Sequence, residues 1–291
     1  MIRYAYDPQA VDQEVAALDA NWATKAAART RTFVRKGQYA EKSSIWSTVK
    51  PVYMTLQQNK CVFCERQFEN RDYGKIEFDL EHFRPKSNVA AWPDTQRHPT
   101  LNYPAIGGAS EAGYYWLAYE LRNYAASCKV CNTVFKLNYF PVANDRGGPA
   151  SDIAQEGALL CYPIGDVDAD PESLVTFVVT TAVPAAQAGL EALRGQVIID
   201  FFGLNQRDVL HRERARMIGI FGSALKNVAD GVDGPADQIL IGQMHENRIP
   251  HAACVRAFER LWRSDEATAR RALDLCRVYG FAEDGTAPPS L

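Results

Sequence analysis

Four of the seven cysteines in this 291-residue chain form two Cys-x-x-Cys pairs, Cys61/Cys64 and Cys128/Cys131. Two intervening residues let one tight turn present both sulfurs to the same ion, so a matched pair of such turns predicts a tetrahedral four-cysteine site for structural zinc. The odd cysteine count speaks against a disulfide framework. Cys161, Cys254 and Cys276 have no partner at ligand spacing and read as small buried hydrophobes. Sixty-three residues lie between Cys64 and Cys128. That is too many for a simple zinc ribbon, so the two turns must close around an inserted unit.

With 47% hydrophobic and 23% charged residues and a net charge of −3, collagenous, disordered and mini-protein classes are excluded. An acidic balance also argues against a protein that coats nucleic acid through overall positive charge, although it leaves room for a local basic site. No cationic and apolar leader follows Met1, so a cytoplasmic location is expected. The apolar run over 173–190 contains Pro184 and Gln187 and is not a membrane span.

The expected architecture is α+β and mostly helical: an N-terminal helical region over 1–59, a zinc-closed module over 60–145, a short β-containing connector over 146–185 and a C-terminal helical region over 186–291. Asp7-Pro8 opens a first helix carrying Val11, Val15, Leu18 and Trp22. A second is predicted over 41–58, kinked or split at Pro51. Residues 75–81 alternate, with Ile76, Phe78 and Leu80 on one face and Glu77, Asp79 and Glu81 on the other, which predicts a half-buried strand. Residues 87–113 read as a long loop, and 159–162 and 174–181 as short β elements. Beyond Pro184 the pattern is helical, with Asn205 offered as a cap for a helix continuing to about Gly231 and shorter helices over 235–247, 250–262 and 265–279.

The inserted unit carries Glu81-His82-Phe83-Arg84-Pro85-Lys86 at the end of the alternating strand, Asn123 after a Trp-Leu-Ala-Tyr-Glu-Leu-Arg run, and Asn132 directly after the second cysteine pair. This order resembles the HNH endonucleases, over about 61–141. The resemblance implies a ββα-metal (HNH) module gripping one divalent cation. Hydrolysis of a phosphodiester needs a base for water and a cation for the transition state. A neutral imidazole is a competent base near neutral pH, so His82 takes that role. Glu81 offers a hard carboxylate and Asn132 a neutral oxygen to catalytic Mg2+ or Mn2+. Asn123 stands where the family's middle Asn braces the loop that carries the histidine. Arg84, Lys86 and Lys136 are candidates for phosphate contact. Glu77 and Asp79 share the face of Glu81, which makes either a candidate second metal ligand, although solvation of a strand face explains them more simply. Asn132 stands where many members have His.

Glu-His-Phe-Arg-Pro-Lys, the Tyr-Tyr-Trp-Leu-Ala-Tyr-Glu segment and Cys-Asn-x-x-Phe-Lys-x-Asn-Tyr-Phe-Pro are similar to the HNH subunits of Septu-type and retron-associated anti-phage systems. Similarity continues through 159–163 and 195–205. It implies a DNA-cutting defence effector controlled by an ABC-like or SMC-like ATPase partner. The chain has no Walker-type phosphate loop of its own, so nucleotide control would come from that partner. The arginine-rich C-terminal helices are the expected docking surface. The competing expectation is a zinc-stabilised adaptor that keeps the HNH scaffold as a non-catalytic or nucleic-acid-binding platform.

Overall fold

The computed structural model describes residues 1–70, 72–103, 106–283 and 285–291. Pro104 and Ala105, within the long loop expected over 87–113, lie outside the described residues. The chain is α+β, with helices and two separate two-stranded antiparallel sheets. It divides into two compact units, one formed by residues 4–59 and 68–169, the other by 1–3, 60–67 and 170–291. Among the described residues no helix is long and apolar enough to cross a membrane.

In the first unit, α1 (Pro8–Leu18) starts where the Asp7 carboxylate accepts from the amides of Gln9 and Ala10, satisfying donors that a helix start leaves open. Helix α2 (Trp22–Lys36) ends at Gly37, whose φ of 68° suits a residue without Cβ. The sequence pattern marks only the first residue of α2, as the end of the stripe that belongs to α1. The single helix expected over 41–58 is instead a 3-10 turn, Trp46–Val49, followed by α3 (Lys50–Leu56). Pro51 sits in the first turn of α3, where a missing N–H costs nothing. Proline therefore splits the expected helix and begins its second part, and does not kink it.

Strand β1 (Phe78–His82) pairs antiparallel with β2 (Tyr124–Cys128), with Phe78 opposite Cys128 and His82 opposite Tyr124. The strand is shorter than the alternating stretch of sequence. Residues Gly74–Ile76 form a 3-10 turn that leaves Ile76 80% exposed. The Lys50 ammonium donates to the carbonyls of Lys75 and Phe78, tying the turn down just before the strand. The Gln57 side chain pairs with both backbone groups of Ala126, at 2.8 and 2.7 Å, as a third strand would. After β2 the chain enters a widened helical turn of π type, Val130–Lys136, a geometry that recurs at functional sites. The stretch 159–162, expected to be β, holds no named strand; its neighbourhood is tied by isolated bridges, Val142 to Ala158 and Tyr4 to Ile164.

In the second unit, α4 (Pro171–Leu174) leads into the hairpin β3 (Val175–Val178) and β4 (Thr181–Pro184). Helix α5 (Gly189–Phe201) approaches this hairpin closely: a Cβ on Gly195 would stand 2.3 Å from the Leu174 carbonyl oxygen, so only glycine fits there. Helix α6 (Asp208–Ala229) follows, then α7 (Pro235–Gln243), α8 (Ala252–Ser264) and α9 (Glu266–Tyr279). Asn205 does not cap α6. Its side chain instead bonds the amide and carbonyl of Ala182 at 2.8 Å each, exchanging one helix cap for two bonds to the hairpin. Ala215, Ile218, Phe258 and Leu273 form the apolar core of α6, α8 and α9, joined by Cys254 and Cys276. Burial pushes both of these thiols up to about 12, as inert core cysteines require.

Candidate active site and metal centre

The four cysteines of the two pairs are buried, and their Sγ atoms all lie within 4.8 Å of one another. Tetrahedral zinc with Zn–S of about 2.3 Å sets sulfur separations of ~3.8 Å, so these residues fit structural zinc. Each pair is shaped by its local backbone. At the first, the Cys61 amide donates to the Arg66 carbonyl and the Glu65 amide to that of Cys61, with Glu65 in the left-handed region at φ 61°. At the second, the Cys131 amide points at Cys128 Sγ from 3.4 Å.

The remaining site residues gather where β1 ends. Adjacent strand residues face opposite ways, and Glu81 and His82 do so here. Glu81 turns toward the π turn and forms an ion pair with Lys136 at 2.7 Å. Lys136 is fully buried and also donates to the His82 carbonyl. Burial raises the Glu81 carboxyl above its ordinary value, and Lys136 opposes that rise. Two residues earlier on the same strand face, Asp79 accepts from Lys129 at 2.6 Å and from Asn132 Nδ2 at 3.1 Å. Burial works against the Asp79 charge, but these bonds hold its carboxyl below the ordinary value. Because a carboxylate only accepts, the Asn132 amide must turn its NH2 toward Asp79 and its Oδ1 elsewhere. Glu81 and Asp79 thus place carboxylate oxygens on one face, the donor type that magnesium or manganese takes, while Asn132 meets that face through its NH2.

His82 turns the other way. Its Nε2 lies 3.0 Å from the Ala118 carbonyl oxygen, and its ring meets Trp46 and Tyr124 edge to face, with centroids 5.3 and 5.0 Å away. Since a carbonyl only accepts, Nε2 carries the hydrogen and Nδ1 keeps its lone pair. Burial, reinforced by the nearby Lys86 charge, holds the imidazole pKa well below its usual value. The ring is therefore neutral at physiological pH.

Asn123 is buried and joins three backbone segments. Its Oδ1 accepts from the Arg84 amide at 2.8 Å, and its Nδ2 donates to the carbonyls of Arg84 and Leu117. This ties the chain just beyond His82 to the turn that supplies the Ala118 carbonyl. Arg84 donates from Nε to the buried Glu156 at 2.7 Å, and Tyr114 donates to the same carboxylate. Lys86 lies over the faces of Tyr39 and Trp46, 5.3 and 5.1 Å from the ring centroids. His98 folds back into its own loop, where Nδ1 accepts from the Asp94 amide. His211 and His251 are buried in hydrogen bonds to Thr180 and Glu213.

Ala118 does not stand out in the sequence, and Asp79 stands out only as a neighbour of Glu81 on the strand face. A backbone carbonyl is common to every residue, so nothing in residue type marks Ala118. Asp79 is visible in the strand alternation, but its bond to Asn132 depends on the π turn folding back over the strand.

No family model matches the chain, and no solved structure matches it. Over 193 residues it is 29% identical to the Septu protein PtuB of Bacillus mycoides, a stretch that covers 66% of this chain and 58% of that protein.

Proposed function

We propose that this chain is the nuclease of an anti-phage defence system, an HNH-type endonuclease that hydrolyses DNA phosphodiester bonds with a divalent cation. Similarity to a Septu protein supports the defence role. The observation that carries the chemistry is the His82 ring at the end of β1, whose Nε2 lies 3.0 Å from the Ala118 carbonyl oxygen and is thereby committed to it. Glu81 and His82 leave β1 on opposite sides, so His82 Nδ1 takes the proton from the attacking water only where the strand twists at its end and brings the two to one phosphate. Glu81 and Asn132 would hold Mg2+ or Mn2+, which would supply charge neutralisation for the transition state. Asn123 braces the loop that carries the base. Zinc on the four cysteines holds the module's fold.

Of the three candidate phosphate cations, Arg84 is engaged by Glu156 and Lys136 by Glu81. Lys86 is the first choice for meeting the DNA backbone. The nuclease module is assigned to 60–145, and the arginine-bearing helices within 186–291 to the docking of an ABC-like or SMC-like ATPase partner.

A supercoiled-plasmid assay with magnesium or manganese tests the reading. The wild type nicks the plasmid, and His82→Ala lowers the rate by roughly 10²- to 10⁴-fold with zinc content unchanged. Undiminished cutting by that variant rejects His82 as the base. No cutting by wild type with either metal, alone or with the partner ATPase, rejects the nuclease and leaves the adaptor.

A further inference from the structure

The Ala118 carbonyl that fixes His82 uses both of its lone pairs, accepting from His82 Nε2 and from the Tyr124 hydroxyl at 2.6 Å. A carbonyl can orient a ring only as firmly as its own turn is held. The next residue, Tyr119, supplies that hold. Its hydroxyl donates to Glu41 at 2.5 Å and accepts from Arg29 Nη1 at 3.1 Å and from the Ile45 amide at 3.2 Å. One donor and two acceptor positions are the full capacity of a phenol hydroxyl, so every one is used. Arg29 and Glu41 are themselves an ion pair at 3.0 Å. The Tyr119 ring meets Trp22 edge to face and stacks on Phe33, two buried residues of α2. Trp46, whose ring meets His82, follows Ile45 directly.

All of these anchoring partners belong to residues 22–46, outside the stretch that resembles a nuclease. We infer that this N-terminal segment completes the active site: Tyr119, clamped by Glu41 and Arg29, is a positioning residue that locks the Ala118 carbonyl against His82 and so holds the base in a single tautomer. This rests on the proposed role of His82 in cleavage. The clamp itself is a statement about the imidazole and is readable without any substrate.

The test is Tyr119→Phe, which removes the hydroxyl and keeps the ring packed on Trp22 and Phe33. Glu41→Gln, which still offers an acceptor, is the conservative companion. Nitrogen-15 spectra of histidine-labelled protein, with the His82 signals identified by their loss in His82→Ala, report the tautomer directly. Wild type is expected to show the Nε2–H form alone. Tyr119→Phe is expected to show a mixture of tautomers, at least a tenfold loss in kcat and an unchanged KM for DNA, with Glu41→Gln between the two. A single tautomer retained in folded Tyr119→Phe overturns the clamp even if wild type cuts DNA. A mixture in that variant upholds the clamp even if no DNA is cut, in which case only the nuclease reading falls.

Discussion

The cysteine cluster, where zinc fits, and the end of β1, proposed to hold a catalytic cation, manage their polar atoms in opposite ways. At the cluster, four sulfurs converge on one another within 4.8 Å. At the strand end each polar atom is aimed at a different protein partner: Glu81 at Lys136, Asp79 at Lys129 and Asn132, His82 at the Ala118 carbonyl. Convergent thiols are organised by the ion they share, and binding that ion is folding energy. Groups already matched by the protein hold their geometry without an ion, so the fold at the strand end does not depend on one. The difference separates a cluster that an ion would organise from one that the protein organises itself.

Chelation should expose that difference with the largest effect. Structural zinc in small domains contributes an apparent ~10–16 kcal/mol to folding, so stripping zinc, or changing Cys61 or Cys128 to Ser, is expected to abolish the cooperative melting transition seen by circular dichroism. Withholding magnesium should leave that transition in place. A zinc-free protein that melted as the native one does would remove the four-cysteine site from the fold's support.

Next comes the ion pair beneath the strand end. The Lys136 side chain is fully buried and that of Glu81 nearly so. Removing one partner of a buried pair leaves an uncompensated charge, which costs about 3–5 kcal/mol, whereas replacing both is far cheaper. Lys136→Met should therefore lower stability in urea by about that amount, and Lys136→Met combined with Glu81→Gln should recover most of it. Equal loss in the single and double variants would show that the pair does not hold this face together.

His82 provides a smaller, pH-dependent effect. Its pKa is depressed by burial from an ordinary 6.5, so below pH 6.5 the unfolded chain takes up a proton that the folded ring refuses. The associated stability is fully present above that pH and is lost as the pH falls, by about 1.4 kcal/mol per unit. Melting temperatures of wild type and His82→Phe should diverge only on the acid side, with wild type losing more. Parallel profiles would mean that the ring accepts its proton in the folded state.

The cysteine pairs are legible in the sequence because the ligand atoms are the side chains and the spacing is local. Glu81, His82 and Asn132 are legible through their order along the chain. The extent of the strand is not, because Ile76 fits the alternation and yet lies in a turn that Lys50, far back in sequence, pins from α3. The part played by 22–46 leaves no local mark at all. It works through one phenol hydroxyl and one backbone carbonyl, and neither the Tyr119–Glu41 bond nor the Trp46–His82 contact follows from any period or spacing. Local chemistry is written in residue type, whereas positioning is written in tertiary contacts.

The smallest expected effect separates the cations that hold structure from the one proposed to meet DNA. Arg84 and Lys136 each carry a buried carboxylate, so changing either should show first in stability. Lys86 rests on the faces of Tyr39 and Trp46, an attraction worth about 0.5–1 kcal/mol at exposed sites and ~2 kcal/mol when desolvated, and burial lowers its pKa, partly offset by Glu81. Lys86→Gln should accordingly lose no more than ~2 kcal/mol of stability. A single phosphate contact contributes about 0.7–0.9 to the slope of log affinity against log salt, so the variant should bind DNA a few-fold more weakly at low salt, with a slope shallower by that amount and a kcat within about twofold. If Arg84→Gln lowered the slope and Lys86→Gln did not, the cation facing the backbone would be Arg84, and its bond to Glu156 would have to open when DNA binds.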